Sequence, residues 1–421
     1  MSHNKFLSGL FQSILGNAIS SRINKSFRKA DNHFQQTINQ TLASRGEVSS
    51  KKYAESLLEN IESMSEQELK SLFDHLADNM EIDSSALSKT AADFSENGTP
   101  ENLTKVRLAT DSMRLELFRR LGSANQGIIK LVQLREQLLR LIKQTPKYKK
   151  IDVDLCYLFR EWFNKGFLVL QPVNWSTAAN ILEKIIQYEA VHEIKSWREL
   201  RERLDPADRR CFAFFHPVME DEPLIFVEVA LTKGIPSKID DVLGIDREAI
   251  NPNMCDSAVF YSISNCQRGL LGISFGNFLI KSVVENLQTE FKNIQNFVTL
   301  SPLPDFRKWA KSKQENSSVI ERVTDAPSSS VLKSMLRNYF LKSERKDKKP
   351  NDPVARFHLG NGASLYQINV NADTSNKGIT ESFGLMVNYK YSLSDVEHNH
   401  ESYQNENKVI MSRGVRRWLG G

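Results

Sequence analysis

The sequence predicts an α+β protein in which an all-helical N-terminal bundle domain precedes a mixed α/β domain. Helical apolar periodicity runs almost without a break through residues 51–203. After residue 210 the chain changes to short apolar runs rich in β-forming residues and bounded by Pro, Gly and Asn. These runs alternate with amphipathic helical segments, as in α/β and α+β domains. We therefore expect a helical domain over residues 1–195 and a second domain over residues 196–421.

The composition is that of a globular chain long enough for two or three domains. The chain has 421 residues, of which 40% are hydrophobic and 25% are charged. Its 56 Lys and Arg residues against 51 Asp and Glu residues give a net charge of +5. The basic residues are dispersed along the chain, which argues against a nucleic-acid partner. No apolar run approaches the roughly 18 residues needed to span a bilayer, so we expect no stable membrane insertion.

The cysteines indicate free thiols. Cys156, Cys211, Cys255 and Cys266 form no CxxC pair and have no His at the spacing of zinc ligands. This pattern is typical of reduced cysteines in a cytosol-like compartment. We expect neither a disulfide framework nor a metal site.

Start and stop signals divide the N-terminal domain into separate helices. Residues 65–68 have the spacing of a capping box, and an apolar stripe follows them. Thr99 and Pro100 suit the N-cap and the first position of a helix. Further helices are predicted over residues 103–121, 126–142, 152–164 and 176–191. Because no heptad is sustained, the helices predict a bundle and not a coiled coil, and none carries a catalytic constellation.

The second domain is predicted as strands interleaved with helices. Strands are expected over residues 212–215, 224–231, 259–263, 297–300 and 385–391. Amphipathic helices are expected over residues 278–291 and 328–341.

Within residues 260–281 a strand leads through a glycine-containing loop into a helix. Gly269, Gly272 and Gly276 allow the backbone to approach a ligand closely and to turn its amides toward one point. The start of the following helix adds unsatisfied N–H groups and a partial positive charge. This arrangement suits a pyrophosphate group, and a tight turn without a ligand is the alternative. The spacing matches neither the Walker pattern nor GxGxxG, so ATP and dinucleotides fit poorly.

Further motifs surround this loop and continue toward the C-terminus in one order. They are His216-Pro217, Glu222-Pro223-Leu224, Glu228-Val229-Ala230-Leu231, Phe260-Tyr261-Ser262-Ile263-Ser264, Gln267 with Gly269-Leu270 and Gly272, Gly276-Asn277-Phe278-Leu279-Ile280-Lys281, Thr299-Leu300-Ser301-Pro302-Leu303-Pro304, Phe357-His358-Leu359, Asn361-Gly362-Ala363 and Gly384-Leu385-Met386. On these motifs the chain resembles the malonyl-CoA decarboxylase family.

The resemblance implies a fold and an activity. The fold is an N-terminal helical domain used in oligomerisation, with a tetramer implied, followed by a catalytic domain of the acetyltransferase (GNAT) type. The activity is the conversion of malonyl-CoA to acetyl-CoA and CO2 without a metal or an organic cofactor. The residues implied to bind CoA are Gln267, Gly269, Gly272, Gly276 and Asn277.

The resemblance also implies three catalytic residues. By themselves, Ser301 in its Pro-flanked turn, His358 between apolar neighbours and Tyr391 at the end of a strand are typical of turn and core positions. With the family motifs around them, we expect Ser301 and His358 to bind the carboxylate or the thioester oxygen, with His358 donating the proton. Tyr391 is expected to orient them. Some family members have Glu at the position of Ser274, so a role of that Glu would pass here to water or another group.

Alternatives remain open at this point. An acyl-CoA N-acyltransferase on the same fold is the second hypothesis, and a purely structural oligomer-forming protein is the third. Residues 1–30 carry basic and apolar residues without Asp or Glu, which a mitochondrial transit peptide or the first helix of the domain would both explain. We expect a cytoplasmic enzyme, with the mitochondrial matrix as the alternative.

Overall fold

The computed structural model describes residues 33–244, 247–273, 278–313, 330–342 and 345–420. The chain divides into two compact units. The first is Met1–Asn164 with Gln267–Ser274, and the second is Lys165–Cys266 with Phe275–Gly421. The functional boundary expected near residue 195 stays a prediction, and the amphipathic segment 1–30 lies outside the described residues.

The first unit is helical over its described residues, as predicted. Its helices are α1 (His33–Ala43), α2 (Glu47–Glu62), α3 (Glu66–Asn79), α4 (Ser84–Glu96), α5 (Pro100–Ala109), α6 (Met113–Gly122), α7 (Gly127–Leu141) and α8 (Lys149–Trp162). The capping box is confirmed: the Glu68 amide donates to Ser65 Oγ, and the Ser65 amide donates to Glu68 Oε2. Thr99 caps α5, with Pro100 at its first position.

One helix prediction in this unit is wrong. Residues 103–121 were expected as a single helix, but the chain ends α5 at Ala109 and starts α6 at Met113. The reason is Ser112, whose Oγ accepts from the Leu115 amide at 2.9 Å and donates to Asp154 Oδ2 at 2.7 Å. This N-cap, anchored from a distant helix, outweighs the continuous apolar periodicity.

The loop that contains Gly269 packs against α7 within the first unit. A Cβ at Gly269 would lie 1.9 Å from the carbonyl oxygen of Val132, so only glycine fits there. Arg135 of α7 donates through Nη1 to the carbonyl oxygens of Gly269 and Leu271, at 2.6 and 2.9 Å. Its Nε donates to Asp152 Oδ1 at 2.7 Å. Gly269 therefore has a packing requirement of its own.

The second unit is built on one mixed sheet. Its strands are β1 (Val169–Val173), β2 (Arg209–Phe215), β3 (Ile225–Thr232), β4 (Ser257–Asn265), β5 (Asn296–Thr299), β6 (Ser301–Pro302), β7 (Ser364–Asn369) and β8 (Met386–Tyr391). Among the described residues the strand order is β1-β2-β3-β4-β5-β8-β6, with β7 also on β8. The five predicted strands are confirmed. β1 was missed because it is a largely exposed edge strand that contains Pro172.

In the second unit, helices lie between several of the strands and after the last strand. The described ones are α9 (Ala179–Tyr188), α10 (Trp197–Leu204), α11 (Asp240–Leu243), α12 (Phe278–Glu290), α13 (Phe306–Lys311), α14 (Ser330–Leu341), α15 (Pro353–Gly360), α16 (Asn376–Ser382), α17 (Val396–Glu406) and α18 (Arg413–Trp418). Leu182 and Ile185 of α9 share one core cluster with β2 and with Phe226 of β3. Strand β1 and helix α9 therefore belong to the core of the second unit.

Two neighbouring strands separate in the middle of the sheet. Strands β4 and β5 run parallel and pair up to Phe260 opposite Thr299, where β5 ends. Strand β4 continues to Asn265, paired with β3 alone. Its register shifts at Tyr261, which has no partner on β3, so β4 carries a β-bulge at this point. The separation leaves an opening beside the end of β4.

Candidate active site

A cavity of about 230 Å³ lies at the opening between β4 and β6. Its described lining is mostly apolar and includes a few polar groups, as in many small-molecule sites. The lining residues are Val191, Phe260, Tyr261, Ile263, Asn265, Ser301, Pro302, Pro353, Val354, Phe357 and His358. Ser301 and His358, both predicted as catalytic, face the same cavity.

Ser301, His358 and Tyr391 form a continuous hydrogen-bonded chain. Ser301 Oγ lies 3.1 Å from His358 Nε2, and His358 Nδ1 lies 2.8 Å from the Tyr391 hydroxyl. The three residues are 6%, 3% and 3% exposed. Tyr391 does not line the cavity and contacts the ring nitrogen opposite to the one that faces Ser301. The structure thus brings the three predicted side chains together, with Tyr391 behind the imidazole.

Helix α15 carries His358 and is held in place at its N-terminus by a cap and beyond its C-terminus by close packing. Asp352 is the N-cap: its Oδ1 accepts from the Ala355 amide at 2.6 Å, and its Oδ2 accepts from the Tyr339 hydroxyl at 3.0 Å. Pro353 occupies the first helical position. Beyond the helix, Gly362 has a φ of 82°, and a Cβ there would lie 2.2 Å from the carbonyl oxygen of Val396. His358 sits in the last turn between these two fixed points.

Strand pairing positions the other two side chains. Ser301 of β6 pairs with Val387 of β8, and Tyr391 of β8 pairs with Phe297 of β5. The His358 ring stacks on the ring of Tyr389, with centroids 4.7 Å apart and planes 25° apart. Because β8 supplies both Tyr389 and Tyr391, one strand holds the imidazole from two directions.

Burial determines the protonation states of His358 and Tyr391. It lowers the pKa of His358 from 6.5 to about 3, because a buried imidazolium loses its hydration. It raises the pKa of Tyr391 well above its ordinary value for the same reason. Burial also raises the pKa of the capping Asp352 to about 6. At neutral pH the buried His358 is therefore a neutral imidazole and Tyr391 a neutral phenol.

The buried Glu189 joins two of the segments that line the cavity. Glu189 accepts from the amides of Val191 and His192, at 2.9 and 2.7 Å. It also accepts from the hydroxyls of Ser262 and Ser264 on β4, at 2.7 and 3.1 Å. The loop that contributes Val191 is therefore tied to the strand that contributes Phe260 and Ile263.

The residues predicted to bind CoA are not all described. Gly276 and Asn277, and also Ser274, lie outside the described residues. Gln267, Gly269 and Gly272 belong to the first unit; Gly272 has a φ of 80° and open space where a Cβ would lie. The structure leaves their role in ligand binding a prediction.

Sequence reasoning missed several residues that hold this site. Glu189 holds Ser262 and Ser264 from a distant part of the chain, which no local pattern indicates. Asp352-Pro353 before an apolar run is a helix-start signal that could have predicted the N-cap. Within the described ranges no three His, Cys, Asp or Glu side chains cluster as a metal-binding group, and no helix there is long and apolar enough to cross a membrane.

Comparisons with known proteins agree on one family. Residues 166–326 and 319–421 match the malonyl-CoA decarboxylase C-terminal domain, and residues 80–163 match the malonyl-CoA decarboxylase N-terminal domain. The mitochondrial malonyl-CoA decarboxylase of Anser anser anser is 34% identical over 343 residues, which cover 71% of this chain and 68% of that protein. The mitochondrial enzyme of Rattus norvegicus is 34% identical over 342 residues, covering 71% and 69%.

Solved structures give the same result. The malonyl-CoA decarboxylase of Rhodopseudomonas palustris superposes with a TM-score of 0.86 at 42% identity, over 91% of this chain and 98% of that one. The malonyl-CoA decarboxylase of Agrobacterium vitis superposes with a TM-score of 0.85 at 42% identity, over 93% and 100%.

Proposed function

Because the chain belongs to the malonyl-CoA decarboxylase family, we propose that its cavity holds the malonyl group and that Ser301, His358 and Tyr391 act on it. The chain is a carboxy-lyase that converts malonyl-CoA to acetyl-CoA and CO2. The observation that supports this assignment most directly is the Ser301–His358 hydrogen bond at the wall of the cavity.

The reaction places definite demands on the site. The bond between the α-carbon and the carboxylate breaks, its electron pair moves into the thioester as an enolate, and CO2 leaves. The α-carbon then takes one proton to give acetyl-CoA. An enolate oxygen needs preorganised donors, and losing one such donor costs about 3–4 kcal/mol in comparable sites. Once substrate is bound, Ser301 Oγ and His358 Nε2 are the side-chain groups on this wall of the cavity that can turn a hydrogen toward that oxygen.

The apolar lining favours loss of CO2. Phe260, Ile263, Val354 and Phe357 face the same space as Ser301 and His358. A carboxylate placed against such side chains loses hydration, whereas neutral CO2 has little hydration to lose. The apolar lining therefore destabilises the carboxylate before the bond breaks and does not destabilise the CO2 that forms.

His358 acquires its proton from the act of binding. Before substrate binds, burial keeps the imidazole neutral. A malonyl carboxylate in the same cavity supplies an opposite charge, which raises the pKa of His358 and draws one proton from solvent. After CO2 leaves, the imidazolium gives one proton from Nε2 to the α-carbon, directly or through the Ser301 hydroxyl. His358 returns to the neutral state, and no charge is left behind in the site.

Tyr391 acts as the orienting group in this scheme. Its hydroxyl contacts His358 Nδ1 at 2.8 Å and can donate to the neutral ring or accept from the imidazolium. The ring thus keeps its orientation in both charge states.

The pyrophosphate of CoA is assigned to the glycine-containing loop. The proposed contacts are the backbone amides of Gly269 and Gly272 and the side chain of Gln267, and the family resemblance adds Gly276 and Asn277. The positive φ of Gly272 and the open space at its Cα leave room for a close ligand. No metal or organic cofactor is part of the proposal, so turnover is expected to survive chelation by EDTA.

The test is turnover of malonyl-CoA alone. Purified protein incubated with malonyl-CoA and no amine should release acetyl-CoA and CO2, whereas an N-acyltransferase would need an acceptor. His358→Ala should lower kcat at least about 100-fold, the usual scale for a lost general acid. The matched control is His398→Ala, which changes an exposed histidine and should leave turnover unchanged. Equal turnover in both variants would remove His358 from the reaction.

Self-association and location complete the proposal. We propose that the helical first unit mediates self-association, with the family resemblance implying a tetramer. A truncation that tests it should start at Lys165, because β1 and α9 belong to the core of the second unit. Light scattering that finds the same oligomer with and without residues 1–164 would contradict this. We propose a cytoplasmic location, which a mitochondrial signal from a fluorescent fusion of residues 1–32 would overturn.

A further inference from the structure

Thr299 lies directly behind the serine of the hydrogen-bonded chain. Its side chain is fully buried at the end of β5. Its Oγ1 accepts two hydrogen bonds, one from Ser301 Oγ at 2.9 Å and one from the Tyr389 amide at 3.1 Å. Its carbonyl oxygen accepts from Asn388 Nδ2 at 2.8 Å. Strand β8 therefore holds both the backbone and the hydroxyl of Thr299 in place.

The bond to Thr299 indicates a direction for the hydrogen bonds of Ser301, His358 and Tyr391. A serine hydroxyl has one hydrogen, and the geometry directs that of Ser301 at Thr299. Ser301 Oγ is then left to accept from His358 Nε2, 3.1 Å away, and we infer that the neutral imidazole carries its hydrogen on Nε2. Nδ1 is left bare and accepts from the Tyr391 hydroxyl.

The direction of these hydrogen bonds determines where on its ring His358 can take up the proton that substrate binding brings. A bare Nδ1 is the position on the ring that can take up a proton, and the hydrogen on Nε2 already points toward Ser301 and the cavity. If Ser301 donated to His358 instead, Nε2 would be bare and the ring would present no hydrogen to the cavity wall.

We propose that Thr299 is a positioning residue that holds the hydroxyl hydrogen of Ser301 and thereby fixes the tautomer of His358. Thr299 does not line the cavity and acts through Ser301. The proposal rests on the proposed function of Ser301 and His358. It adds Thr299 as the acceptor that orients the hydrogen bonds of Ser301, His358 and Tyr391 before substrate enters.

The test uses two substitutions at one position. Thr299→Val keeps the branched shape and removes the acceptor, whereas Thr299→Ser keeps the acceptor and removes a methyl group. We expect Thr299→Val to lower kcat about 10-fold, on the scale of one lost hydrogen bond, with KM within about threefold of wild type. Thr299→Ser should keep kcat within about threefold.

The readout that separates positioning from mere packing is the tautomer. In protein labelled with ¹⁵N-histidine, the resonances of His358 are identified by their loss in His358→Gln. In wild type and Thr299→Ser, Nε2 should show the shift of a protonated nitrogen and Nδ1 that of a bare one. In Thr299→Val the two should exchange. Because Val leaves the Tyr389 amide without its acceptor, unfolding of each variant is followed by circular dichroism, and Thr299→Ser provides the test if Val does not fold.

Each outcome bears on a defined claim. Wild-type kcat and tautomer in Thr299→Val would overturn the role of Thr299, as would the hydrogen of His358 on Nδ1 in wild type or in Thr299→Ser. Ser301→Ala serves as the reference. If Ser301→Ala itself turned over at the wild-type rate, the proposed function would fail, whatever the result at Thr299.

Discussion

The buried, neutral state of His358 makes a quantitative prediction about stability and pH. The pKa of this imidazole is about 3 in the folded chain, against 6.5 when it is unfolded and solvated. Between these values the unfolded chain binds a proton that the folded chain does not. The free energy of unfolding therefore falls as the pH drops from about 6.5 toward 3, and His358 contributes no pH dependence above that window.

The magnitude follows from the two pKa values. At pH 4.5 the difference in proton binding lowers the free energy of unfolding by about 2.7 kcal/mol relative to pH 7.5, and the full difference approaches about 5 kcal/mol at 1.36 kcal/mol per pKa unit. His358→Gln removes this titration while keeping a polar side chain. The gap in stability between wild type and His358→Gln should thus shrink by about 2.7 kcal/mol from pH 7.5 to pH 4.5.

The assay is urea unfolding of both proteins at several pH values in that range. Subtraction of the two curves cancels titrations that the variants share, such as those of Asp352 and His192. His398→Gln provides the matched control, because it makes the same substitution at an exposed histidine. Parallel pH curves for wild type and His358→Gln would refute the reasoning, because His358 would then titrate alike in the folded and unfolded chains.

Three further predictions concern proton uptake on binding, the N-cap of α15 and the packing of Gly269. An acyl-CoA that carries a sulfonate in place of the carboxylate should bind with uptake of up to one proton per site near pH 6.5. The uptake is measured by calorimetry in buffers that differ in their heat of ionisation, and His358→Gln should show none. Asp352→Ala should cost about 1–3 kcal/mol of stability, since the Ala355 amide and the Tyr339 hydroxyl lose their acceptor; an unchanged midpoint of urea unfolding would contradict this. Gly269→Ala should cost about 1–3 kcal/mol by overpacking against α7; an unchanged unfolding midpoint would show that the loop shifts freely.

The sequence was sufficient where local pattern and tertiary structure agree. The capping box at Ser65 and the start of α5 at Pro100 formed as predicted, because each depends on residues within one helical turn. Strands β2, β3, β4, β5 and β8 were visible as short apolar runs, whereas β1, β6 and β7 were not. The break in residues 103–121 was not, because Ser112 gains its anchor from Asp154, forty-two positions away.

The candidate site shows the same division. Ser301, His358 and Tyr391 could be singled out by their motifs, and the structure brings them together. The sequence did not indicate the role of Thr299, whose position is fixed by the distant Tyr389 amide, or of Glu189, whose serine partners lie more than seventy positions away. Gly269 was predicted as a close approach to a ligand, and that role stays a prediction. The structure shows a packing requirement at the same position, the carbonyl oxygen of Val132, which no local pattern indicates.

The most direct test of the central claim compares turnover with binding in four proteins: wild type, Ser301→Ala, His358→Ala and the double variant. If both residues act on one bound malonyl group, each single change lowers kcat at least about 100-fold. The double variant is then little worse than the poorer single, because residues that act as a unit are not additive. Affinity for acetyl-CoA should stay within a few-fold of wild type in all four. Near-normal turnover in either single variant, or losses that multiply in the double, would contradict the account.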